Sequence, residues 1–162
     1  MSRMRKLLLL ILTALAALIT TQPALGAEPV YVIRHLEKAA GDDPALTPQG
    51  AARAGQLADV LARANIKAVF ATPTKRARET AAPLAERLGV PVSDYNPRDL
   101  EALAAAVSGA AGSVLIVGHS NTVAALVERF GGEKPAELTE QDYGTLFVVH
   151  PESRQVNRIP LN

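Results

Sequence analysis

A three-layer α/β/α sandwich around a mainly parallel sheet, finished by a hairpin at the sheet edge, is the fold this sequence predicts. Three observations lead there. Short β-branched apolar runs alternate with amphipathic stretches of helical period throughout residues 27–162, the pattern of strands linked by crossover helices. Several of those runs are apolar on both faces, as strands covered by helices on two sides must be. The chain then closes on two apolar runs around a turn instead of another helix.

Val30-Tyr31-Val32-Ile33 reads as the first buried strand. A loop over Gly41–Leu46 leads to Thr47-Pro48, an N-cap followed by a first-turn proline. Leu57, Val60, Leu61 and Ala64 then recur at i, i+3, i+4 and i+7, which predicts a helix ending near Asn65. Ala68-Val69-Phe70 is the second strand, and Thr72-Pro73 repeats the cap-and-proline signal. Ala77, Ala81, Leu84, Ala85 and Leu88 face inward on the next helix, which contains Pro83 and stops at Gly89. Val90–Tyr95 is a weaker strand, and Asn96-Pro97 precedes a helix carrying Leu100, Leu103, Ala104 and Val107. Val114-Leu115-Ile116-Val117 is the strongest strand and belongs at the sheet centre. Ser120 or Asn121 caps a helix with Val123, Leu126, Val127 and Phe130, closed by Gly131-Gly132. Leu146–Val149 and Val156–Ile159 flank a turn at Pro151–Arg154 and form the edge hairpin.

Residues 1–26 read as a separate segment. Arg3, Arg5 and Lys6 precede an apolar stretch over Leu7–Ile19, and Ala24-Leu25-Gly26-Ala27 ends it with small residues. A basic start, a short apolar run and a small-x-small end make a secretory signal peptide. The apolar run is shorter than the ~20 residues a spanning helix needs. The expected product is an exported, periplasmic protein cut after Gly26 or Ala27, with no stable membrane span. The rival is an uncleaved anchor.

Charge supports this division. The 162 residues carry 17 Lys and Arg against 16 Asp and Glu, but three of the basic residues and none of the acids lie in residues 1–26. The remaining domain has 14 basic and 16 acidic residues, a formal charge of −2. Slight overall basicity thus belongs to the leader and gives no argument for nucleic-acid binding. The chain has no cysteine, which excludes disulfides, thiolate catalysis and cysteine-ligated zinc.

In an open parallel sheet, ligands bind beyond the carboxyl ends of the strands. Three such ends carry chemistry here: Arg34-His35-Leu36-Glu37, Thr72 with Arg76 one turn on, and Gly118-His119-Ser120-Asn121-Thr122. Two arginines and two histidines at one edge suit a phosphoryl group, because guanidinium forks match phosphate oxygens. The starts of the two following helices are expected to add backbone N–H groups. With no cysteine, a neutral imidazole is the best available nucleophile.

These residues resemble the histidine phosphatase superfamily, which includes the phosphoglycerate mutases. Arg34-His35-Leu36-Glu37 resembles its Arg-His-x-Glu signature, and Leu46-Thr47-Pro48-Gln49-Gly50 its Leu-Thr-x-x-Gly helix start. Thr72–Ala81 is similar to the Ser-x-x-x-Arg-Ala-x-x-Thr-Ala segment, with Thr72 in place of serine, and Gly118–Thr122 resembles the second-histidine motif. The resemblance implies that His35 is the nucleophile and that Arg34, Arg76 and His119 hold the transferring phosphoryl group. It implies no metal and no organic cofactor. Thr72, Ser120 and Asn121 are candidate substrate-binding residues, with helix capping as the alternative for each. Lys75 and Arg78 read as a solvated helix face, and His150 as a turn residue.

One position departs from the family. Larger members take a leaving-group acid from an inserted segment or from an aspartate directly after the second histidine. Ser120 stands there instead. Glu37, Asp43, Asp94 and Asp99 remain candidates, and the sequence does not choose among them; Glu37 is a possible proton donor, with orienting Arg34 or capping a turn as equal alternatives. With neither usual position filled, the sequence predicts a steep dependence of rate on leaving-group pKa.

The expected activity is hydrolysis of a small or cell-envelope phosphate through a phosphohistidine. The alternatives are a phosphomutase, disfavoured by the missing insertions, and a non-catalytic phosphate-binding module. The sequence carries no signal of oligomeric state. The leader reading predicts that protein from a periplasmic fraction has an intact mass starting at Ala27 or Glu28. Membrane-bound protein retaining Met1 contradicts it.

Overall fold

The computed structural model describes residues 28–162. The expected leader and both candidate cleavage positions lie outside the described residues. The order is β1 (Val30–Arg34), α1 (Pro48–Leu61), β2 (Ile66–Ala71), α2 (Lys75–Leu88), β3 (Val92–Asp94), α3 (Leu100–Ser108), β4 (Ser113–Gly118), α4 (Val123–Arg129), β5 (Thr145–His150) and β6 (Gln155–Pro160).

Six strands form one sheet in the order β3-β2-β4-β1-β5-β6. The first four are parallel, while β5 and β6 run antiparallel to their neighbours. The sheet is therefore mixed, and the hairpin makes one edge as the sequence predicts. Two apolar clusters lie on its opposite faces. One packs Leu57, Leu61, Ala81 and Leu84 from α1 and α2 against Ile33, Leu115 and Leu146. The other packs Leu103, Val123 and Leu126 from α3 and α4 against Val32, Ile116 and Phe147. Alternate residues of each strand thus bury on opposite sides, which is why the central runs are apolar throughout. No helix among the described residues is long and apolar enough to cross a membrane.

Helix starts differ from expectation in informative ways. Thr47 caps α1 through a bond from the Gly50 N–H. At α2 the cap position falls on Thr74, not Thr72, because the Thr72 hydroxyl is engaged elsewhere. Asp99 caps α3 by accepting from the Ala102 N–H, and Asn96 turns the preceding chain by accepting from Arg98 N–H. Thr122, not Ser120 or Asn121, precedes α4. Pro83 lies inside α2 as expected and removes one donor there.

Side-chain bonds fasten the segment after β1 to α2. The Leu36 N–H donates to Thr80 Oγ1 at 3.0 Å, and the same hydroxyl donates to the Arg76 carbonyl at 2.8 Å. Leu46 N–H donates to Glu79 at 2.7 Å. Threonine and glycine in the two helix motifs thereby acquire a physical reason. A Cβ on Gly50 would stand 2.3 Å from the Glu37 carbonyl oxygen, so only hydrogen fits between α1 and that segment.

This contact gives a prediction of opposite sign at two glycines of one helix. Alanine ordinarily stabilises a helix interior by up to ~1 kcal/mol over glycine. Gly55→Ala, whose Cβ would meet nothing within 4 Å, should show such a gain in urea unfolding. Gly50→Ala should instead lose about 1–3 kcal/mol through overpacking. A gain at Gly50 contradicts the close approach.

Candidate active site

Parallel pairing sets Arg34 opposite Gly118, and the His35 N–H donates to the Gly118 carbonyl at 2.9 Å. The two histidines that follow therefore leave the sheet side by side. Their ring centroids are 5.2 Å apart, edge to face at 66°. They line a cleft of ≈ 620 Å³ together with Arg34, Arg76, Ser120 and Asn121. A more apolar cavity of ≈ 690 Å³, bordered by Val30, Val114 and Phe130, contains no histidine.

His35 is 3% exposed. Its Nδ1 lies 2.9 Å from the Leu36 carbonyl. A carbonyl can only accept, so Nδ1 carries the proton and the Nε2 lone pair is left for chemistry. Burial, outweighing the Leu36 bond and helped by His119 and the arginines, pushes its pKa down to about 4. His119 is likewise pushed to about 4, by burial first and then by Arg76 and Arg34. Both imidazoles are therefore neutral near pH 7. Charge on either ring must thus be induced by an arriving anion.

Arg34 is 2% exposed and is gripped by the segment before β5. Nη1 donates to the carbonyls of Thr139 and Asp142 at 2.7 and 3.1 Å. Nη2 donates to Glu140 and to the Tyr143 hydroxyl at 3.2 and 3.1 Å. The Tyr143 ring adds a cation–π contact at 4.0 Å. Arg76 makes only a long 3.5 Å pair with Asp43. The Nε atoms of both arginines are buried without a partner among the described residues. Such orphaned donors cost about 1–3 kcal/mol each until an acceptor reaches them.

The remaining predicted residues divide. Thr72 is buried and its hydroxyl sits 2.7 Å from His119 Nε2, so it orients the second imidazole instead of capping α2. The His119 N–H donates to Thr122 Oγ1 at 2.8 Å. Thr122 and Val123 N–H groups return to the His119 carbonyl. At α2, Asp43 accepts from the Lys75 N–H at 2.9 Å. Glu37 does not line the cleft; its carboxylate pairs with Arg53. Asp94 pairs with Arg78, and Asp99 caps α3. Among the described residues, no group of three or more His, Asp or Glu is arranged to hold a metal ion.

Four residues that sequence reasoning missed complete the cleft: Lys38, Thr74, Arg98 and Glu140. Lys38, three positions past His35, was the easiest to find. Glu140 is the only carboxylate among them. It lies in a proline-containing polar stretch with no periodicity, so only folding reveals its place.

The fold and site together define an α/β protein with a paired-histidine, paired-arginine anion cleft. Residues 30–98 match the family described as the histidine phosphatase superfamily, branch 1. Solved structures share the fold. The protein histidine phosphatase SixA in complex with tungstate is 23% identical with a TM-score of 0.62, covering 81% of this chain and 94% of that one. Mycobacterial glucosyl-3-phosphoglycerate phosphatase with inorganic phosphate is 17% identical at 0.62, covering 84% and 97%. YhfR of Bacillus stearothermophilus is 17% identical at 0.64, covering 83% and 96%. No curated protein matches the chain by sequence.

The depressed histidines make a pH prediction. An ordinary histidine titrates near 6.5; here the folded state refuses protons that the unfolded state binds between pH 6.5 and about 4. Their contribution to stability is complete above that window and lost as pH falls through it. Imidazole NMR titration should give values near 4 for His35 and His119 in the free protein. Added inorganic phosphate should raise both, because an anion favours the charged form. Titration of both near 6.5 without phosphate contradicts the buried, cation-flanked geometry.

Proposed function

We propose that this chain is an exported phosphatase that takes a phosphoryl group onto His35 Nε2 and hands it to water. One observation carries the proposal: a buried, neutral imidazole, its Nδ1 proton fixed on a backbone carbonyl, faces a cleft lined by two arginines with unsatisfied Nε–H groups. A binding module needs the arginines but has no use for an oriented nucleophile.

The sequence of events follows from these groups. Arg76 and Arg34 receive the phosphate oxygens, and the anion raises the proton affinity of His119 until it adds a third donor. The His35 Nε2 lone pair attacks phosphorus in line with the ester oxygen, and the P–O bond breaks. Its Nδ1–H bond to Leu36 strengthens as the ring gains positive charge. Water then attacks the phosphohistidine, the P–N bond breaks, and the electron pair returns to Nε2. Fixed charges aimed at the transferring group supply the main stabilisation.

Lys38 and Arg98 add positive charge to the cleft wall, which favours anionic substrates. Neighbours named for protein histidine phosphatase and glucosyl-3-phosphoglycerate phosphatase activities define two arms of a substrate panel; envelope glycan phosphates are the third.

The test is turnover by the mature domain across that panel. His35→Ala should abolish turnover while leaving the fold intact. Arg76→Ala should lower kcat/KM by about 3–4 kcal/mol of transition-state stabilisation. Full activity of His35→Ala, or complete and reversible loss in chelator, overturns the mechanism.

A further inference from the structure

We propose that Glu140, delivered by the segment between α4 and β5, is the proton donor to the leaving group in the reaction proposed for this cleft. The inference rests on that phosphatase reading and assigns the acid that the sequence left open.

Position comes first. Glu140 is the one carboxylate among the described residues that line the cleft with His35 and His119. Its Oε1 accepts from Ser120 Oγ at 2.9 Å. Ser120 directly follows His119, so the carboxylate reaches the cleft wall through the residue next to the second histidine. Its Oε2 lies 3.2 Å from Arg34 Nη2, which brings it against the phosphate-binding arginine as well. The other acids have different employment: Glu37 with Arg53, Asp94 with Arg78, Asp43 with Arg76 and the start of α2, and Asp99 at the cap of α3.

The segment that carries Glu140 is held firmly while its carboxylate stays accessible. Arg34 grips the Thr139 and Asp142 carbonyls and the Tyr143 hydroxyl, and Thr139 N–H donates to Asp142 at 2.7 Å. Between these anchors the Glu140 side chain is 75% exposed, free to turn from Arg34 toward a departing oxygen. Its exposure places it on the side of the cleft open to solvent.

Its charge state is coupled to substrate. The Ser120 bond and then Arg34 hold the carboxyl below its ordinary value. A phosphate dianion draws on the same arginine and places like charge beside the carboxylate; both changes raise its proton affinity, and the carboxylate takes up a proton from solvent as the substrate binds. The step balances. His35 Nε2 forms the P–N bond, the P–O pair goes to the leaving oxygen, and that oxygen takes the proton from Glu140. Water later attacks phosphorus and returns a proton to the carboxylate, which restores the acid.

The experiment measures phosphoenzyme formation by rapid quench across aryl and alkyl phosphates, in the mature protein and in Glu140→Gln. Glutamine keeps the size and can accept from Ser120, but has no proton to give. Wild type should show a shallow dependence on leaving-group pKa, against the expectation from sequence. The variant should be steep, slowing alkyl esters by a factor about 10²–10⁴ greater than its effect on aryl esters. Equal slowing of both classes makes Glu140 a positioning residue for Arg34 and overturns the proposal, as does a steep wild-type dependence. Absence of phosphoenzyme from every ester in wild type overturns the phosphatase reading itself, a distinct result.

Discussion

The parallel register of β1 on β4 is the constraint from which the rest of the site follows. It sets Arg34 level with Gly118, so the residues after each strand, His35 and His119, emerge at the same height. A shift of one residue would turn one histidine to the other face of the sheet. The register is fixed by burial on both sides, since Val32 and Ile116 pack on one face while Ile33, Leu115 and Val117 pack on the other. Gly118 is part of this arrangement: a Cβ there would lie 2.8 Å from the Thr122 hydroxyl that receives the His119 N–H. The apolar core is thus what holds two imidazoles 5.2 Å apart.

A buried arginine beside them creates the second demand. Burying a guanidinium is costly unless its donors are met. The chain meets the demand with carbonyls, a tyrosine and the Glu140 carboxylate from the segment before β5. That solution ties the C-terminal third of the domain to the carboxyl ends of β1 and β4 and leaves the Arg34 Nε without a partner among the described residues. The same enclosure depresses the histidines, so a site rich in positive charge holds neutral rings at neutral pH. An anion entering it meets fixed guanidinium charge and an inducible imidazolium.

Much of this was legible before folding. Strand and helix identities follow from short apolar runs and i, i+3, i+4 spacing, and His35, His119, Arg34 and Arg76 converge because all sit just beyond strand ends. Helix starts were misjudged where a threonine had stronger business elsewhere: Thr72 orients His119, so the cap position of α2 moves to Thr74. Glu37, one of the candidate acids, turns to Arg53 on α1, a pairing across 16 residues that no local pattern encodes. Glu140 was invisible for the converse reason. It lies 20 residues from Ser120 in sequence, in a stretch without period, and reaches the cleft only because Arg34 gathers the carbonyls around it.

The central claim is that His35 Nε2 carries the phosphoryl group. Acid-labile, base-stable label from a phosphate ester, trapped by rapid quench and located by fragmentation mass spectrometry, tests it most directly. The account predicts stoichiometric label on the peptide containing His35, formed before phosphate release. Label on another residue, or single-turnover hydrolysis with no covalent label at any time, contradicts it.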